Sequence, residues 1–226
     1  MKKSDHIQEI VIYGDSDFAE QVKYQLDSDE RYKVISFTVD ESKYVKDRFL
    51  DLPVIPFQLL GNYYKKDEIN IFVAIGYTKI NKIREKVLKE IENEGYILLT
   101  YISKKSFVSK NVYIGAGSYI AEFVSIGSNA QIGKGVIILS NSSIAHNVLI
   151  GDFVFCSHSV TIGGHALIKN NSFIGLNSTI KNSITVSENN IIGCGSNVIN
   201  STDSESIYVG NPAKNIKGVN IDSIRI

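Results

Sequence analysis

Three histidines, His146, His158 and His165, are the residues of this sequence whose side chains suit proton transfer near neutral pH. An imidazole titrates close to neutrality, so a positioned histidine serves as a general base or acid without special surroundings. The two cysteines, Cys156 and Cys194, lack the Cys-x-x-Cys spacing of a zinc site and are too few for a disulfide framework. We therefore expect acid–base chemistry without a metal ion, and structural roles for both cysteines.

The histidines belong to a segment that repeats every six residues. From Val108 to Val198, each sixth residue is Ile or Val with the single exception of Cys156, and the following residue is often Gly. The residue four positions after each Ile or Val is nearly always Val, Ser or Ala. A period of six fits neither a helix nor a two-faced strand and is typical of a parallel β-helix, in which three units form one triangular coil. The Ile and Val side chains are predicted to point inward, and His146, two residues after Ile144, to lie outside.

The first half of the chain follows a different pattern. Apolar runs at 10–13, 34–37 and 71–75 each end at a turn residue, as buried strands do. A helix is predicted to begin at Thr78, a good N-cap, and to end before Gly95. Its apolar stripe consists of Ile80, Ile83, Val87, Leu88 and Ile91. This alternation predicts a small parallel sheet with right-handed crossovers, a fold that binds ligands beyond the carboxyl ends of its strands.

Composition excludes several classes of protein. The 226 residues carry 24 basic and 24 acidic side chains, so there is no general field and no basic run to attract a nucleic acid. The longest apolar runs are far shorter than the ~20 residues of a membrane span, and Lys2-Lys3 is not followed by the apolar stretch of a signal peptide. We expect a cytoplasmic protein without a nucleic-acid or membrane partner.

Three motifs resemble those of bacterial nucleotide-sugar acetyltransferases, a family that includes sialic-acid O-acetyltransferase-like and 4-amino-sugar N-acetyltransferase members. They are Tyr13-Gly14-Asp15-Ser16, the segment 146–153 (His-Asn-Val-Leu-Ile-Gly-Asp-Phe) and the segment 209–214 (Val-Gly-Asn-Pro-Ala-Lys). The resemblance implies a Rossmann-like nucleotide-sugar-binding domain at residues 1–102 and a left-handed β-helix of hexapeptide repeats at residues 103–226. It further implies a homotrimer with acetyl-CoA between neighbouring β-helices. The implied reaction transfers acetyl from acetyl-CoA to the 4-amino group of a 4-amino-4,6-dideoxy sugar carried on UDP, dTDP or GDP, for surface-glycan biosynthesis.

The resemblance also assigns the catalytic residues. His146 matches the family's general base, and Asn147 stands where the family has an acidic residue that orients it. We expect the Asn147 carbonyl to accept the imidazole N–H and fix the tautomer. Phe155 replaces a second histidine of many members, which makes His158 a possible accessory residue reaching across a trimer interface, whereas His165 is expected to be a surface residue of the wall.

Binding residues are implied in both halves. The thioester and chain of acetyl-CoA are expected at Gly164, Gly210, Pro212 and Lys214, and a backbone N–H near Gly163-Gly164 is expected to stabilise the oxyanion. The nucleotide sugar is expected at Gly14, Ser16, Asp40, Gly76 and Tyr77, with Arg84 nearby. The first turn departs from the family because Asp15 and Asp17 bring negative charge toward a diphosphate.

Two alternatives remain open at this point. The same histidine supports O-acetylation of a sugar or of sialic acid, and dependence on a free amine separates that reaction from N-acetylation. The changes at Asn147 and Phe155 also allow a β-helix scaffold without catalytic activity. Turnover of acetyl-CoA by the purified protein excludes the scaffold.

Overall fold

The computed structural model of the chain describes residues 7–217, and these form two compact units. The first comprises residues 7–76 with 87–99, and the second comprises 77–86 with 100–217. The units differ from the predicted ranges 1–102 and 103–226 because a segment of the first half, 77–86, packs with the β-helix. No helix within residues 7–217 is long and apolar enough to cross a membrane.

The first unit is a twisted sheet with its helices in the crossovers, as predicted. Its strands are β1 (Gln8–Tyr13), β2 (Tyr32–Val39), β3 (Arg48–Phe49), β4 (Leu52–Pro56), β5 (Ile69–Val73) and β6 (Ile97–Leu98). Its helices are α1 (Asp17–Asp27), α2 (Lys82–Asn93), whose first turn belongs to the second unit, and the 3-10 turns Glu41–Lys43 and Phe57–Asn62. The strand order is β3-β4-β2-β1-β5-β6, and every neighbouring pair is parallel except β3 with β4. The apolar runs form the central strands because a parallel sheet is covered on both faces.

The predicted start of α2 at Thr78 is wrong. The helix begins at Lys82, because Lys79, Ile80 and Asn81 adopt left-handed backbone with φ of 53°, 51° and 65°. Three successive left-handed residues cannot belong to a right-handed helix. The Asn81 side chain is fully buried and donates to the carbonyl oxygens of Asn171 and Ser172 at 3.1 and 3.2 Å. These hydrogen bonds to the β-helix fix a local conformation that the N-cap preference of Thr78 does not predict.

The second unit is a parallel β-helix with three faces. The first face contains Tyr101–Ile102, Tyr119–Ile120, Ile137–Ile138, Phe155–Cys156, Phe173–Ile174, Ile191–Ile192, Ile207–Val209 and the antiparallel Lys214–Asn215. The second face contains Phe107–Val108, Ser125–Ile126, Ser143–Ile144, Thr161–Ile162, Thr179–Ile180 and Asn197–Val198. The third face contains Tyr113–Ile114, Gln131–Ile132, Leu149–Ile150, Leu167–Ile168 and Thr185–Val186.

The stack is held by the inward residue of each unit. Strands of the three faces pair in register with the strand one coil away, as Ile126 does with Ile144. From Ile120 to Val198 every inward residue is buried, which confirms the predicted hexad register. Cys156 takes one of these positions, and burial raises its pKa to about 12, so it is an inert packing residue. Cys194 is exposed, so the structure gives it no packing role.

Each corner of the prism requires one left-handed residue. Every sixth residue from Gly117 to Gly195 has φ between 55° and 72°. This region favours Gly and, among other residues, Asn. Asn occupies six of these corner positions, at 129, 141, 147, 171, 177 and 189. Asn147 thus has a backbone reason to be asparagine, and His165, with φ of 60°, occupies the same corner position one coil later.

Replacing the inward Ile150 by Ala tests this packing. Ile150 is 3% exposed, so its truncation removes buried methyl groups and leaves a cavity. The free energy of unfolding is expected to fall by ~2–5 kcal/mol in urea unfolding. Thr179→Ala, on an outward and exposed side chain, is the control and should change it by less than ~0.5 kcal/mol. Equal losses for both variants would show that the hexad register is wrong at Ile150.

Candidate active site

The candidate catalytic residues meet at the corner between the second and third faces. His146 and Asn147 follow the strand Ser143–Ile144, and Gly164 and His165 follow the next strand of the same face, Thr161–Ile162. The two pairs are therefore stacked one coil apart. The His165 N–H donates to the His146 carbonyl at 3.1 Å, which fixes the register of the two corners. His146 and His165 both keep solvent-accessible surface, so the corner is accessible from outside the prism.

Gly164 leaves room beside the reactive edge of His146. A Cβ atom at this position would lie 2.9 Å from both Cε1 and Nε2 of His146, which is closer than real Cβ atoms come to other heavy atoms. Glycine is therefore required for the imidazole to keep its present position with Nε2 open. This close approach to a side chain distinguishes Gly164 from the neighbouring Gly163, whose Cβ would meet backbone atoms of Asn182 in the next coil at 2.5 Å.

The Gly164 N–H is available to a ligand. Equivalent N–H groups at another corner donate to the side chain one coil away, as Lys134 does to Asp152 Oδ1 at 2.8 Å and Asp152 does to Asn170 Oδ1 at 2.9 Å. Among residues 7–217, none accepts a hydrogen bond from the Gly164 N–H. A backbone donor beside an open imidazole edge is the arrangement needed to bind a developing oxyanion.

Asn147 lies between the two imidazoles. Its Nδ2 atom is 2.9 Å from His146 Nδ1 and 3.5 Å from His165 Nε2. An amide nitrogen only donates, so in this orientation both ring nitrogens accept, and neutral His146 carries its proton on Nε2. This differs from the expected contact, in which the Asn147 carbonyl accepts from His146. A half-turn of the carboxamide exchanges oxygen and nitrogen at the same position, places the proton on Nδ1 and leaves Nε2 as a free base.

The contact between His165 and the candidate residues His146 and Asn147 was not predicted from the sequence. The rings of His146 and His165 meet edge to face, with centroids 5.1 Å apart and planes at 85°. The sequence contains a signal for this contact, because His165 follows Asn147 by eighteen residues, which is one coil. Ile126 and Ile144, which pair on neighbouring coils, have the same separation. His158 follows the first-face strand Phe155–Cys156 and is exposed at a different corner of the coil, away from His146 in this chain.

Phe155 packs in a cluster of aromatic side chains. Phe155 is buried, its ring lies edge to face with Tyr77 at 5.0 Å, and it stacks on Phe173 at 5.7 Å. Tyr77 also contacts Phe173 at 4.8 Å. The structure thus uses Tyr77, which the sequence analysis expected at the nucleotide, to cover the outer side of the first face.

Arg84 contacts the β-helix rather than an open loop. Its guanidinium is 1% exposed and donates to the carbonyl oxygens of Gly135 at 3.1 Å and Phe153 at 2.8 Å, and to Asn81 Oδ1 at 3.0 Å. Gly135 and Phe153 are left-handed corner residues, so Arg84 bridges two stacked corners. Burial lowers its pKa to about 9, which leaves the side chain charged at neutral pH.

The substitution Arg84→Lys is expected to destabilise the β-helix unit. Lysine keeps the charge, but its single nitrogen cannot reach all three acceptors. A buried acceptor left without its donor costs about 1–3 kcal/mol, so the free energy of unfolding should fall by at least that amount. Urea unfolding measures the change, and Lys82→Arg on the exposed side of the same helix is the control. An unchanged unfolding midpoint in Arg84→Lys would contradict the bridging role.

The segment expected along the CoA chain passes the end of the second face at Gly210 and returns to the first face at Lys214. Gly210 accepts a hydrogen bond from the Asn197 N–H at 3.0 Å, and the Ala213 N–H donates back to the Asn197 carbonyl at 2.8 Å. Asn197 is two strands beyond Thr161–Ile162 on this face and Gly210 lies one layer further, so the segment lies about 14 Å along the prism from Gly164, at ~4.8 Å per strand. Pro212 and Lys214 are exposed there.

The first unit gathers its candidate residues at the carboxyl ends of its strands. Gly14 follows β1 with φ of 122°, and a Cβ there would lie 3.0 Å from the Ala74 carbonyl oxygen, so only glycine fits this turn. Ser16 is the N-cap of α1, and its hydroxyl makes no capping hydrogen bond within the described chain. Gly76 comes three residues after the end of β5, whose last residue, Val73, pairs with Tyr13. Asp15 forms an ion pair with Lys46 at 3.2 Å, which offsets the negative charge that the sequence places in this turn.

Asp40, after β2, is held by hydrogen bonds. It accepts from the Ser42 N–H at 2.9 Å and from Gln58 Nε2 at 3.3 Å, together with the Ser42 hydroxyl. The Ser42 hydrogen bonds, with a smaller contribution from Gln58, hold the pKa of the Asp40 carboxyl below its usual value. Gln58 and Lys46 were not singled out from the sequence, because they lie in short connections without periodicity. Among residues 7–217 no group of three His, Cys, Asp or Glu side chains is arranged to hold a metal ion.

Two family models match the chain. The PglD N-terminal domain matches residues 9–91, and the bacterial transferase hexapeptide of six repeats matches residues 105–139. Together they cover more than half of the sequence. No curated protein sequence matches the chain.

Solved structures share the fold over nearly the whole chain. The acetyltransferase domain of PglB from Neisseria gonorrhoeae FA1090 is 22% identical, with a TM-score of 0.82 over 92% of this chain and 100% of that domain. The same domain with acetyl coenzyme A has a TM-score of 0.62 at 22% identity, over 93% of this chain and 100% of that domain. A histidine-to-alanine variant of GDP-perosamine N-acetyltransferase from Caulobacter crescentus, in complex with CoA and GDP-perosamine, is 21% identical, with a TM-score of 0.80 over 93% of this chain and 98% of that chain.

The matches agree with the architecture built from the residues. The predicted fold class is confirmed: a parallel-sheet N-terminal unit precedes a left-handed parallel β-helix of hexapeptide repeats. The first unit is thus similar to the PglD N-terminal domain over residues 9–91, and the β-helix is similar to the bacterial transferase hexapeptide over residues 105–139.

Proposed function

We propose that the protein is an acetyl-CoA-dependent sugar N-acetyltransferase that acts on the 4-amino group of a nucleotide-linked 4-amino-4,6-dideoxy sugar. The observation that carries the proposal is the open Nε2 edge of His146 beside the unused N–H of Gly164. The structural relatives support acetyl-CoA as the donor and a nucleotide sugar as the acceptor, because their complexes hold CoA, acetyl-CoA or GDP-perosamine. The residue roles below are part of the proposal.

The reaction follows from the corner geometry. The neutral amine of the sugar attacks the thioester carbonyl carbon, and a C–N bond forms while His146 Nε2 takes a proton from that nitrogen. The carbonyl oxygen becomes an oxyanion next to the Gly164 N–H. Collapse of the tetrahedral intermediate breaks the C–S bond, and CoA leaves as the thiol after taking a proton from the imidazolium.

His146 performs this step only in one tautomer. Nε2 must be unprotonated, so the neutral ring must carry its proton on Nδ1 and donate it to an acceptor. The Asn147 oxygen is that acceptor when the carboxamide faces the ring with its carbonyl. Asn147 therefore supports the base by orientation, without the negative charge that an acidic residue brings to the imidazolium.

We place the nucleotide sugar at Gly14, Ser16, Asp40 and Gly76 of the first unit, and acetyl-CoA at Gly164 and the segment 210–214. The accessible corner at His146 supports a homotrimer in which a neighbouring β-helix forms the second wall of the acetyl-CoA cleft. A cytoplasmic location belongs to the same proposal, because acetyl-CoA and nucleotide sugars are made there.

Release of CoA thiol by the purified protein tests the function. UDP-, dTDP- and GDP-linked 4-amino-4,6-dideoxy sugars are compared with the matching 4-hydroxy sugars, and mass spectrometry identifies the product. We expect turnover with an amino sugar alone, by a species whose mass in light scattering is that of a trimer. Turnover with the hydroxy sugar would replace the proposal by O-acetylation. Absence of turnover with every acceptor would favour a scaffold.

A further inference from the structure

We propose that His165 is a positioning residue that selects the tautomer of His146 through the Asn147 carboxamide. The inference rests on the proposed function, in which His146 is the base, and it concerns a residue that no resemblance assigns. The observation is a chain of three side chains: His146 Nδ1 is 2.9 Å and His165 Nε2 is 3.5 Å from the same Asn147 amide atom.

A single carboxamide atom between two ring nitrogens must either donate hydrogen bonds to both or accept hydrogen bonds from both. If that atom is Nδ2, its two hydrogens are donated to His146 Nδ1 and His165 Nε2, and both nitrogens are acceptors. If it is Oδ1, its two lone pairs accept from an N–H on each ring. The carboxamide therefore couples the rings: a proton on His165 Nε2 requires oxygen at this position, and oxygen requires a proton on His146 Nδ1. That state leaves Nε2 of His146 free to act as the base.

The backbone holds the three groups in place. Asn147 and His165 occupy the left-handed corner positions of successive coils, with φ of 55° and 60°. The His165 N–H donates to the His146 carbonyl at 3.1 Å, and the rings meet edge to face. The distance between the rings is thus set by the coil repeat, and only the carboxamide orientation and the protons remain free to change. His165 thereby supplies the orienting contact that an acidic residue at position 147 would supply by itself.

The test replaces His165 in two backgrounds. His165→Asn keeps a residue suited to left-handed backbone but removes the imidazole. We expect kcat to fall ~10–100-fold, the usual effect of losing a partner that orients a functional histidine. The KM for acetyl-CoA should not change. His165→Gln places an amide near the position of Nε2 and should recover most of the loss. Ser183→Asn, at the same corner one coil later with φ of 58°, is the matched control and should keep wild-type kcat.

The second background is Asn147→Asp, in which both atoms available to His146 Nδ1 are oxygens. A carboxylate needs no orientation, so His165→Asn should then leave kcat unchanged, and the two substitutions should be strongly non-additive. An equal loss of kcat in the wild-type and Asn147→Asp backgrounds would overturn the proposal and assign His165 a merely structural role.

Tautomers measured without substrate separate this inference from the proposed function. In ¹⁵N-histidine-labelled protein, long-range ¹H–¹⁵N spectra report which nitrogen of His146 is protonated. We expect the Nδ1–H form to be populated in the wild type and to give way to the Nε2–H form in His165→Asn. An unchanged tautomer in that variant would contradict the role of His165, even if the enzyme is active. Failure of the wild type to release CoA would contradict the proposed function, but the tautomer measurement would still test the role of His165.

Discussion

His146→Ala is expected to lower kcat by about 10²–10⁴-fold, the contribution of a positioned imidazole to proton transfer. The attacking amine loses a proton as the C–N bond forms, and the proposed mechanism assigns that proton to Nε2 of His146 beside the Gly164 corner. Binding of acetyl-CoA should remain close to that of the wild type, because its contacts are assigned to Gly164 and the segment 210–214. Single-turnover kinetics measure the chemical step, and calorimetry measures binding.

The same experiment decides between candidate bases. His146→Gln serves as a second variant, because glutamine keeps a polar side chain of similar length and guards against a simple packing defect. If both variants keep near-normal kcat with the preferred sugar, the base lies elsewhere. His158, brought to the site from a neighbouring chain, would then be the next candidate. Such a result would overturn the mechanism without disturbing the fold.

Gly164→Ala is expected to lower kcat by about 10²–10³-fold, because alanine keeps the backbone N–H but its methyl group blocks the oxyanion from reaching that donor, which has the effect of losing it. The added methyl group would lie 2.9 Å from Cε1 and Nε2 of His146, so it displaces the imidazole and covers the edge at which the thioester must lie. The backbone at Gly164 is not left-handed, so the substitution adds no strain of its own. Steady-state kinetics and thermal unfolding together should show an intact but inactive protein.

Two other glycines serve as comparisons. A Cβ at Gly61 meets only the Tyr96 hydroxyl, at 3.4 Å, so Gly61→Ala should keep both activity and stability. A Cβ at Gly163 would lie 2.5 Å from the Asn182 backbone nitrogen, so Gly163→Ala should unfold at a markedly lower temperature. Normal activity in Gly164→Ala would show that the thioester does not approach this corner.

The β-helix was predictable from the sequence because a single type of packing interaction determines the fold. Each inward residue, such as Ile144, stacks on its equivalent one coil away, so a single chemical requirement repeats at a fixed interval. The central strands of the first unit were predictable for a similar reason, since Ile10, Val11 and Ile12 are fully buried. A two-residue strand that belongs to no repeat, such as Arg48–Phe49, carries too few residues to show any period.

The errors arose where distant contacts override local preference. Residues 79–81 adopt left-handed backbone because Asn81 and Arg84 reach the β-helix, and no neighbour of Thr78 in sequence signals this. His146 was identified by its motif, and its place on the outside of the prism follows from the hexad. His165 is exposed on the wall as expected, but its contact with Asn147 was not predicted because that contact exists only between coils. A contact between residues one coil apart gives no signal in the neighbouring sequence. It can be predicted once the register of the coils is known.

The fixed register of the coils limits how this half of the chain evolves in length. A one-residue insertion within a strand between Ile120 and Val198 would turn an inward side chain toward water, because side-chain direction alternates along a strand. The length of the continuous stack therefore changes in whole coils, and single residues are accommodated only as loops at the exposed corners. Adding or deleting one coil between Gly164 and Asn197 would move the segment 210–214 by one strand spacing, ~4.8 Å, relative to His146. In this fold the number of coils sets the distance between Gly164 and the segment 210–214, the two ends of the proposed acetyl-CoA site.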